Sequence, residues 1–273
     1  MLHHLAYIHP EAKIGANVTV EPFAYIEADV EIGEGSWIGA HAVIKNGSRI
    51  GKNCKIYYGA VISQIPQDLK YEGEQTLTII GDNTAVREYA TISCGTKDRF
   101  QTVIGKNCLI MSYAHIAHDC ILGNNCIIVN SVQIAGHVVI DDFAVIGGTA
   151  AVQQFVRIGK HVMVGGGSLV RKDVPPFIKV AREPLSYVGL NLVGLKRRGF
   201  SSEKINELQE VYRTIYLKGY NNSQALHIIE NSMPYSIERD EVLDFIKSSK
   251  RGIMPASRNG KNAFNNGQAD EDE

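Results

Sequence analysis

The sequence predicts an all-β parallel β-helix built from hexapeptide repeats, followed by a small α-helical C-terminal domain. Three observations predict it. Aliphatic residues return every six positions: Leu2, Ile8, Ile14, Val20, Ile26, Ile32, Ile38, Ile44, Ile50, Ile56 and Ile62, again at Ile80, Val86 and Ile92, and then without a break from Ile104 to Val170. A small residue often stands four places later, as at Ala24, Ser36, Ala60, Ala90, Ala114 and Ala144, and glycine often follows the aliphatic residue, as in "IGANVT" and "IGEGSW". After "DVPPF" the apolar spacing changes to that of helices.

A period of six belongs to neither a helix nor a strand. Each sextet reads as one short strand and a corner, and three sextets close a triangular coil of 18 residues. The aliphatic residue points inward, the small one fits near the corner, and glycine or asparagine supplies the turn. Successive coils then hydrogen-bond at a strand spacing of about 4.8 Å, and stability accumulates coil by coil. Cys54, Cys108, Cys120 and Cys126 fall on the small inward position, where cysteine is a compact apolar filler. Cys94 lies off that position.

The frame places the β-helix at residues 1–186, with loop insertions at 67–79 and 95–103. The first, "QDLKYEGEQTLT", is dense in polar groups and is expected to touch substrate. The second, around "GTKDRFQT", is expected to be an ordinary surface excursion, and two prolines in "DVPPF" are expected to end the coil. Within 187–250, "SSEKINELQEVYRTIYLKG" has a serine cap, places Ile205, Leu208, Tyr212 and Ile215 at helical spacing, and stops at Gly219. Two more helices are expected around "SQALHIIENSM" and "SIERDEVLDFIKSS", and the polar stretch 251–273 is expected to be disordered.

Charge is balanced, with 28 basic and 29 acidic residues, which gives no general grip on nucleic acid. No apolar run reaches the ~20 residues of a membrane span. The opening residues lack the pattern of a secretory leader, and five cysteines suggest reduced thiols, so a cytoplasmic location is expected. Between Arg157 and Arg198, nine basic residues stand against Asp173 and Glu183. This local excess is expected to form a docking surface for an acidic protein.

The uninterrupted stretch after Ile104 makes stacking a matter of adding 18. His118 lies under Gly136, then Gln154, then Lys172, and Asp119 lies under His137. His118, Asp119, Gly136, His137 and Gln154 therefore share one outer corner, with His115 close by. Three readings compete: polar decoration of a solvated face, a zinc site using His115, His118 and His137, and general-base catalysis. In the last, His118 takes a proton from a hydroxyl, Asp119 orients the ring, and a bare amide at Gly136 receives an oxyanion.

The stretches "QDLKYEGE", "AHIAHDC", "AGHVVIDDFAVIGG", "HVMVGGGS", "DVPP" and "GLKRRGF", in this order, resemble the UDP-N-acetylglucosamine O-acyltransferases of lipid A synthesis over about residues 1–250. The resemblance implies a left-handed coil and a homotrimer with active sites between prisms. It implies transfer of an (R)-3-hydroxyacyl group from acyl carrier protein to the sugar 3-hydroxyl, with no acyl-enzyme, no cofactor and no metal. His118 would be the base, Asp119 its partner and Gly136 the oxyanion donor. Asp68 and Lys70 would hold the sugar, Gln67 would lie along the acyl chain, and His115, His137 and Gln154 would make further sugar and phosphate contacts. Asn191, Arg197 and Arg198 would reach the nucleotide from a neighbouring subunit. Gly166 matches the position that limits acyl length, and glycine there implies a chain of more than about ten carbons. The basic excess would then meet acyl carrier protein. Gln153, Val193 and the Ser93–Cys94 pair depart from the family pattern.

Other readings remain at this stage. An N-acyltransferase of the same pathway carries an extra N-terminal domain, whereas here the repeat starts at Leu2. A relative acting on a diamino-sugar nucleotide, a zinc hydratase of the γ-carbonic-anhydrase type and a non-catalytic scaffold are the rest.

Overall fold

The computed structural model describes residues 1–256. Short strands wind into a left-handed parallel β-helix with three walls. The first wall runs from Tyr7–Ile8 to Leu169–Val170, the second from Lys13–Ile14 to Arg157–Ile158, and the third from Thr19–Val20 to Ile178–Ala181. Register follows the repeat: Ile116 pairs with Ile134 and Ile134 with Val152. The aliphatic frame residues from Val20 to Val170 form the buried core. The four inward cysteines are buried with them, and burial pushes the Cys120 thiol up to about 12.

The corners explain the polar residues of the repeat. The residue three places after the aliphatic one commonly has a positive φ, for example 53° at Asn53, 58° at Asp119 and 57° at Asn125. Asparagine and aspartate tolerate this left-handed region better than other non-glycine residues.

Both insertions leave the prism at the same edge. The first lies between the strands Val61–Gln64 of the first wall and Leu77–Ile80 of the second. The second lies between Thr91–Ser93 and Gln101–Ile104, again from first wall to second. His118 and Asp119 turn that edge one coil further on, between His115–Ile116 and Ile121–Leu122.

The prolines of "DVPPF" do not end the sheet. Ile178–Ala181 pairs in parallel with Met163–Val164 and then antiparallel with Ser186–Leu190. Pro175 and Pro176 fall between the ladder donors Val174 and Phe177, whose N–H groups bond Arg157 and Lys160. A missing N–H costs nothing there.

Among the described residues four helices follow: α1 (Leu192–Arg197), α2 (Ser202–Tyr216), α3 (Asn222–Ser232) and α4 (Ile237–Lys247). Ser201 caps α2 through the Lys204 N–H, and Ile205, Leu208, Tyr212 and Ile215 are buried as their spacing predicts. The short α1 is an addition to the expected set; its cap is the Asn191 side chain, which accepts from the Gly194 N–H. Residues 251–256 are not a loose start to a tail. Ile253 bridges Asp173, Ala256 bridges Tyr187, and Ile253 and Met254 are buried. The remaining residues of the expected tail, 257–273, lie outside the described residues.

His161 is buried between the rings of Phe143 and Phe177, and burial, reinforced by the Arg198 charge, pushes it down to about 4. An unfolded imidazole titrates near ~6.5. The stability from a neutral His161 is therefore complete above that value and is lost as pH falls toward 4. His161→Phe, which continues the ring stack, should shrink the drop in Tm between pH 7 and pH 5 in thermal melts. An unchanged drop would contradict this.

Candidate active site

His118 faces out of the prism, as its place in the sextet requires, yet only 7% of it is exposed. The open polar corner expected from the repeat is covered. The first loop brings Asp68 to 3.7 Å from His118 Nε2, and the His137 ring stands edge-on, centroids 5.0 Å apart. The ring still reaches a cavity of about 400 Å³, lined by Gln67, His115, His118, Gly136 and Gln154 among others. A buried ring that borders a cavity can meet a substrate, whereas one sealed in the core could not.

Asp119 is fully buried, and each oxygen takes two hydrogen bonds. Oδ1 accepts from the N–H groups of Thr96 (3.0 Å) and Arg99 (3.2 Å). Oδ2 accepts from the Thr96 hydroxyl (2.7 Å) and from His118 Nδ1 (2.8 Å). Burial pushes the carboxyl up, but the Thr96 hydroxyl, His118 and the Thr96 N–H outweigh it and hold Asp119 below the usual aspartate value. An ionised carboxylate can only accept, so His118 Nδ1 carries the hydrogen and Nε2 keeps its lone pair for the cavity side. That is the tautomer a general base needs.

Gly136 sits against the same ring. A Cβ there would lie 2.6 Å from His118 Cε1. The Gly136 N–H enters no backbone hydrogen bond among the described residues, so a donor stands beside the base with no side chain to screen it. Gly136→Ala must displace the imidazole, and a misplacement of about 1 Å can cost about 10²-fold. We expect kcat to fall by about that factor with little change in Tm; near-normal kcat would show that the close approach has no catalytic use.

His115 Nδ1 lies 2.8 Å from the Thr91 hydroxyl. Burial, then neighbouring His118, pushes His115 below the ordinary imidazole value. Burial also lowers His137 despite the pull of Asp119. His137 Nδ1 has Asp98 Oδ2 at 3.1 Å, off the line of a hydrogen bond. Lys70 is exposed, and its N–H bonds Asp68 Oδ1.

The second loop is not the ordinary excursion expected from its sequence. Thr96, Asp98 and Arg99 all reach the corner, and Arg99 Nη1 also bonds the Asp119 carbonyl at 3.0 Å. The loop further supports the first one, since Glu74 accepts from the Lys97 N–H and the Thr76 hydroxyl donates to the Gly95 carbonyl. Sequence reasoning passed over these residues. The signal was available, because Ile62, Ile92 and Ile116 all precede the same edge, so both interruptions must open beside His118.

The donor set argues against the zinc reading. His118, Asp119 and His137 place ligand atoms within 4.8 Å of one another. Both Asp119 oxygens are already doubly bonded to N–H and O–H groups, and His118 Nδ1 is one of those donors. His115 turns to Thr91 instead of joining the cluster. A larger cavity, about 630 Å³, lies between α4 and the second wall, lined by Asp141, Lys160 and Glu241 among others. It contains no histidine–carboxylate pair.

The remaining expected residues lie on other edges. Gly166 is on the edge from third wall to first. Asn191 donates to the His161 carbonyl and Arg198 to the Phe143 carbonyl, on the edge from second wall to third, and Arg197 is exposed on α1. One chain does not bring them to His118. The basic excess does not form one patch either. Arg157 is held by Ser248 and Phe245, Lys160 by Glu241 and Arg171 by Glu183, while Lys172 stands on the His118 edge. Val193 is exposed on α1, Gln153 is exposed, and Ser93 and Cys94 are buried.

A hexapeptide coil with an outward histidine–aspartate pair beside a bare amide defines a transferase of the hexapeptide class. The family described as bacterial transferase hexapeptide (six repeats) matches residues 29–64 and 101–136. Domain 2 of the UDP-N-acetylglucosamine O-acyltransferases matches residues 173–254. An acyl-acyl-carrier-protein–UDP-N-acetylglucosamine O-acyltransferase of Sulfurihydrogenibium is 59% identical over 261 residues, 95% of this chain and 96% of that protein. One from Chlorobaculum tepidum is 59% identical over 248 residues, 90% of this chain and 94% of that one. Among solved structures, a UDP-N-acetylglucosamine acyltransferase from Bacteroides fragilis superposes with a TM-score of 0.92 at 48% identity, covering 93% of this chain and 100% of that one. The chain belongs to the acyl-acyl-carrier-protein–UDP-N-acetylglucosamine O-acyltransferase family.

Proposed function

We propose that this protein transfers an (R)-3-hydroxyacyl chain from acyl carrier protein to the 3-hydroxyl of UDP-N-acetylglucosamine, the first step of lipid A biosynthesis. The observation that carries the reading is the His118–Asp119 pair, with Nδ1 bound to a saturated carboxylate and Nε2 free beside Gly136. His118 Nε2 removes the proton from the sugar hydroxyl as its oxygen attacks the thioester carbonyl. The Gly136 N–H donates to the oxyanion that forms. Collapse breaks the carbon–sulfur bond, and the phosphopantetheine thiolate takes the proton back from the imidazolium. The acyl group passes directly, and no cofactor enters the sequence.

Asp68 and Lys70 hold the sugar, Gln67 borders the acyl chain, and His115, His137 and Gln154 complete the polar contacts. Asn191, Arg197 and Arg198 bind the nucleotide from a neighbouring protomer of a homotrimer, with paired guanidiniums suited to the diphosphate. Gly166 borders the acyl channel from a neighbouring prism. The trimeric reading is supported by the distribution of these residues over three edges of one chain. The reaction runs in the cytoplasm, where acyl carrier protein is the partner.

The test is incubation with UDP-N-acetylglucosamine, or its diamino analogue, and a series of 3-hydroxyacyl carrier proteins. Mass spectrometry should find a 3-O-acylated nucleotide sugar with chains longer than about ten carbons, because glycine at position 166 leaves the channel open. Acylation of the diamino analogue alone would overturn the acceptor assignment, and no acyl product would overturn the function.

A further inference from the structure

We infer that Thr96, in the second loop, is a positioning residue that sets how strongly Asp119 holds His118. This rests on the general-base reading above. Thr96 is buried, and both its N–H and its hydroxyl bond the Asp119 carboxylate, one to each oxygen. The direction of the hydroxyl is fixed. Its oxygen accepts from the Asp98 N–H at 3.3 Å, so its own hydrogen goes to Asp119 Oδ2 at 2.7 Å. Oδ2 is the oxygen that faces His118 Nδ1.

The Thr96 hydroxyl and the imidazole therefore compete for the charge of one oxygen. A hydrogen bond to an ionised acceptor is about twice as strong as a neutral one. The hydroxyl drains charge from Oδ2, so the imidazolium formed during transfer is held less tightly and gives its proton to the leaving thiolate more readily. It also pins the carboxylate plane, which fixes the ring through Nδ1. The hydroxyl anchors the loop backbone only through the long bond from the Asp98 N–H, since the N–H groups of Thr96 and Arg99 already reach Oδ1 and the Asp119 N–H is held by Thr102 Oγ1.

The other ionisable neighbours of the pair are Asp68, 3.7 Å from His118 Nε2, and His137 Nε2, 3.8 Å from Oδ2. His115 faces the ring from its own strand, Asp98 backs His137, Arg99 bonds the Asp119 carbonyl, and Cys120 follows in the chain. None of these ionisable groups bonds the Thr96 hydroxyl, which otherwise meets only the Asp98 backbone N–H, so its removal takes from the charged network one donor to Asp119 Oδ2.

The experiment is Thr96→Val, which keeps the shape and deletes the donor, beside Thr96→Ser, which restores it. Thr96→Ala serves if valine does not fold, as checked by circular dichroism and light scattering. The expected result is a kcat about tenfold lower, an unchanged KM for the nucleotide sugar, and an acid limb of the pH–rate profile raised by about half a pH unit. Thr96→Ser should recover both. An unchanged profile and rate in the valine or alanine variant would overturn the inference, as would a loss that serine does not recover. His118→Ala is run in parallel. If it stays active, the base reading itself fails; if it is inactive while the Thr96 variants behave as wild type, only the role of Thr96 fails.

Discussion

His118→Ala should lower kcat by about 10²–10⁴-fold, the range for a positioned general base, while the protein folds and melts as before. The imidazole lies outside the prism and contributes nothing to the aliphatic core, so its loss leaves the coil intact. It removes the acceptor for the hydroxyl proton and the donor for the departing thiolate together. Steady-state kinetics with saturating nucleotide sugar measure the effect, and KM should change much less than kcat. A variant with wild-type kcat would mean that another group, Asp68 or His115, takes the proton.

Asp119→Asn should cost about 10³–10⁴-fold in kcat, by the logic of a triad aspartate replaced with its amide. Four donors converge on Asp119, two on each oxygen. An amide can satisfy only one of these pairs. If its NH₂ faces His118, the ring must turn over its tautomer and present Nε2–H to the cavity, which ends its use as a base. If the NH₂ faces the N–H groups of Thr96 and Arg99, donors oppose donors and the second loop is pushed away. Asparagine accepts the positive φ of this corner, 58°, so backbone strain does not confuse the result. A rate within tenfold of wild type, with the loop intact, would show that the carboxylate does not set the tautomer.

These two expectations draw on different sources. The His118 edge was open to arithmetic, because an unbroken run of sextets stacks residues 118, 136, 154 and 172 without reference to anything else. The hydrogen bonds to Asp119 were not. Thr96, Asp98 and Arg99 lie in a stretch where the six-residue frame stops, and a chain without a period has no arithmetic position. The frame could show that the second loop opens beside His118; it could not show that the loop turns back onto Asp119 and does not project into solvent. The burial of His118 was hidden for the same reason, since its cover comes from Asp68 in the first loop and from a neighbouring corner ring.

By itself, the sequence determined the coil, its frame, the inward cysteines and the corner on which the chemistry stands. A six-residue period with an inward aliphatic residue leaves one efficient way to bury that stripe. Only the tertiary structure decided the tautomer of the base, the saturation of its carboxylate and the distribution of the nucleotide-binding candidates over other edges. Those depend on where aperiodic loops and the short helix α1 come to rest, and that is fixed by contacts between residues far apart in the chain.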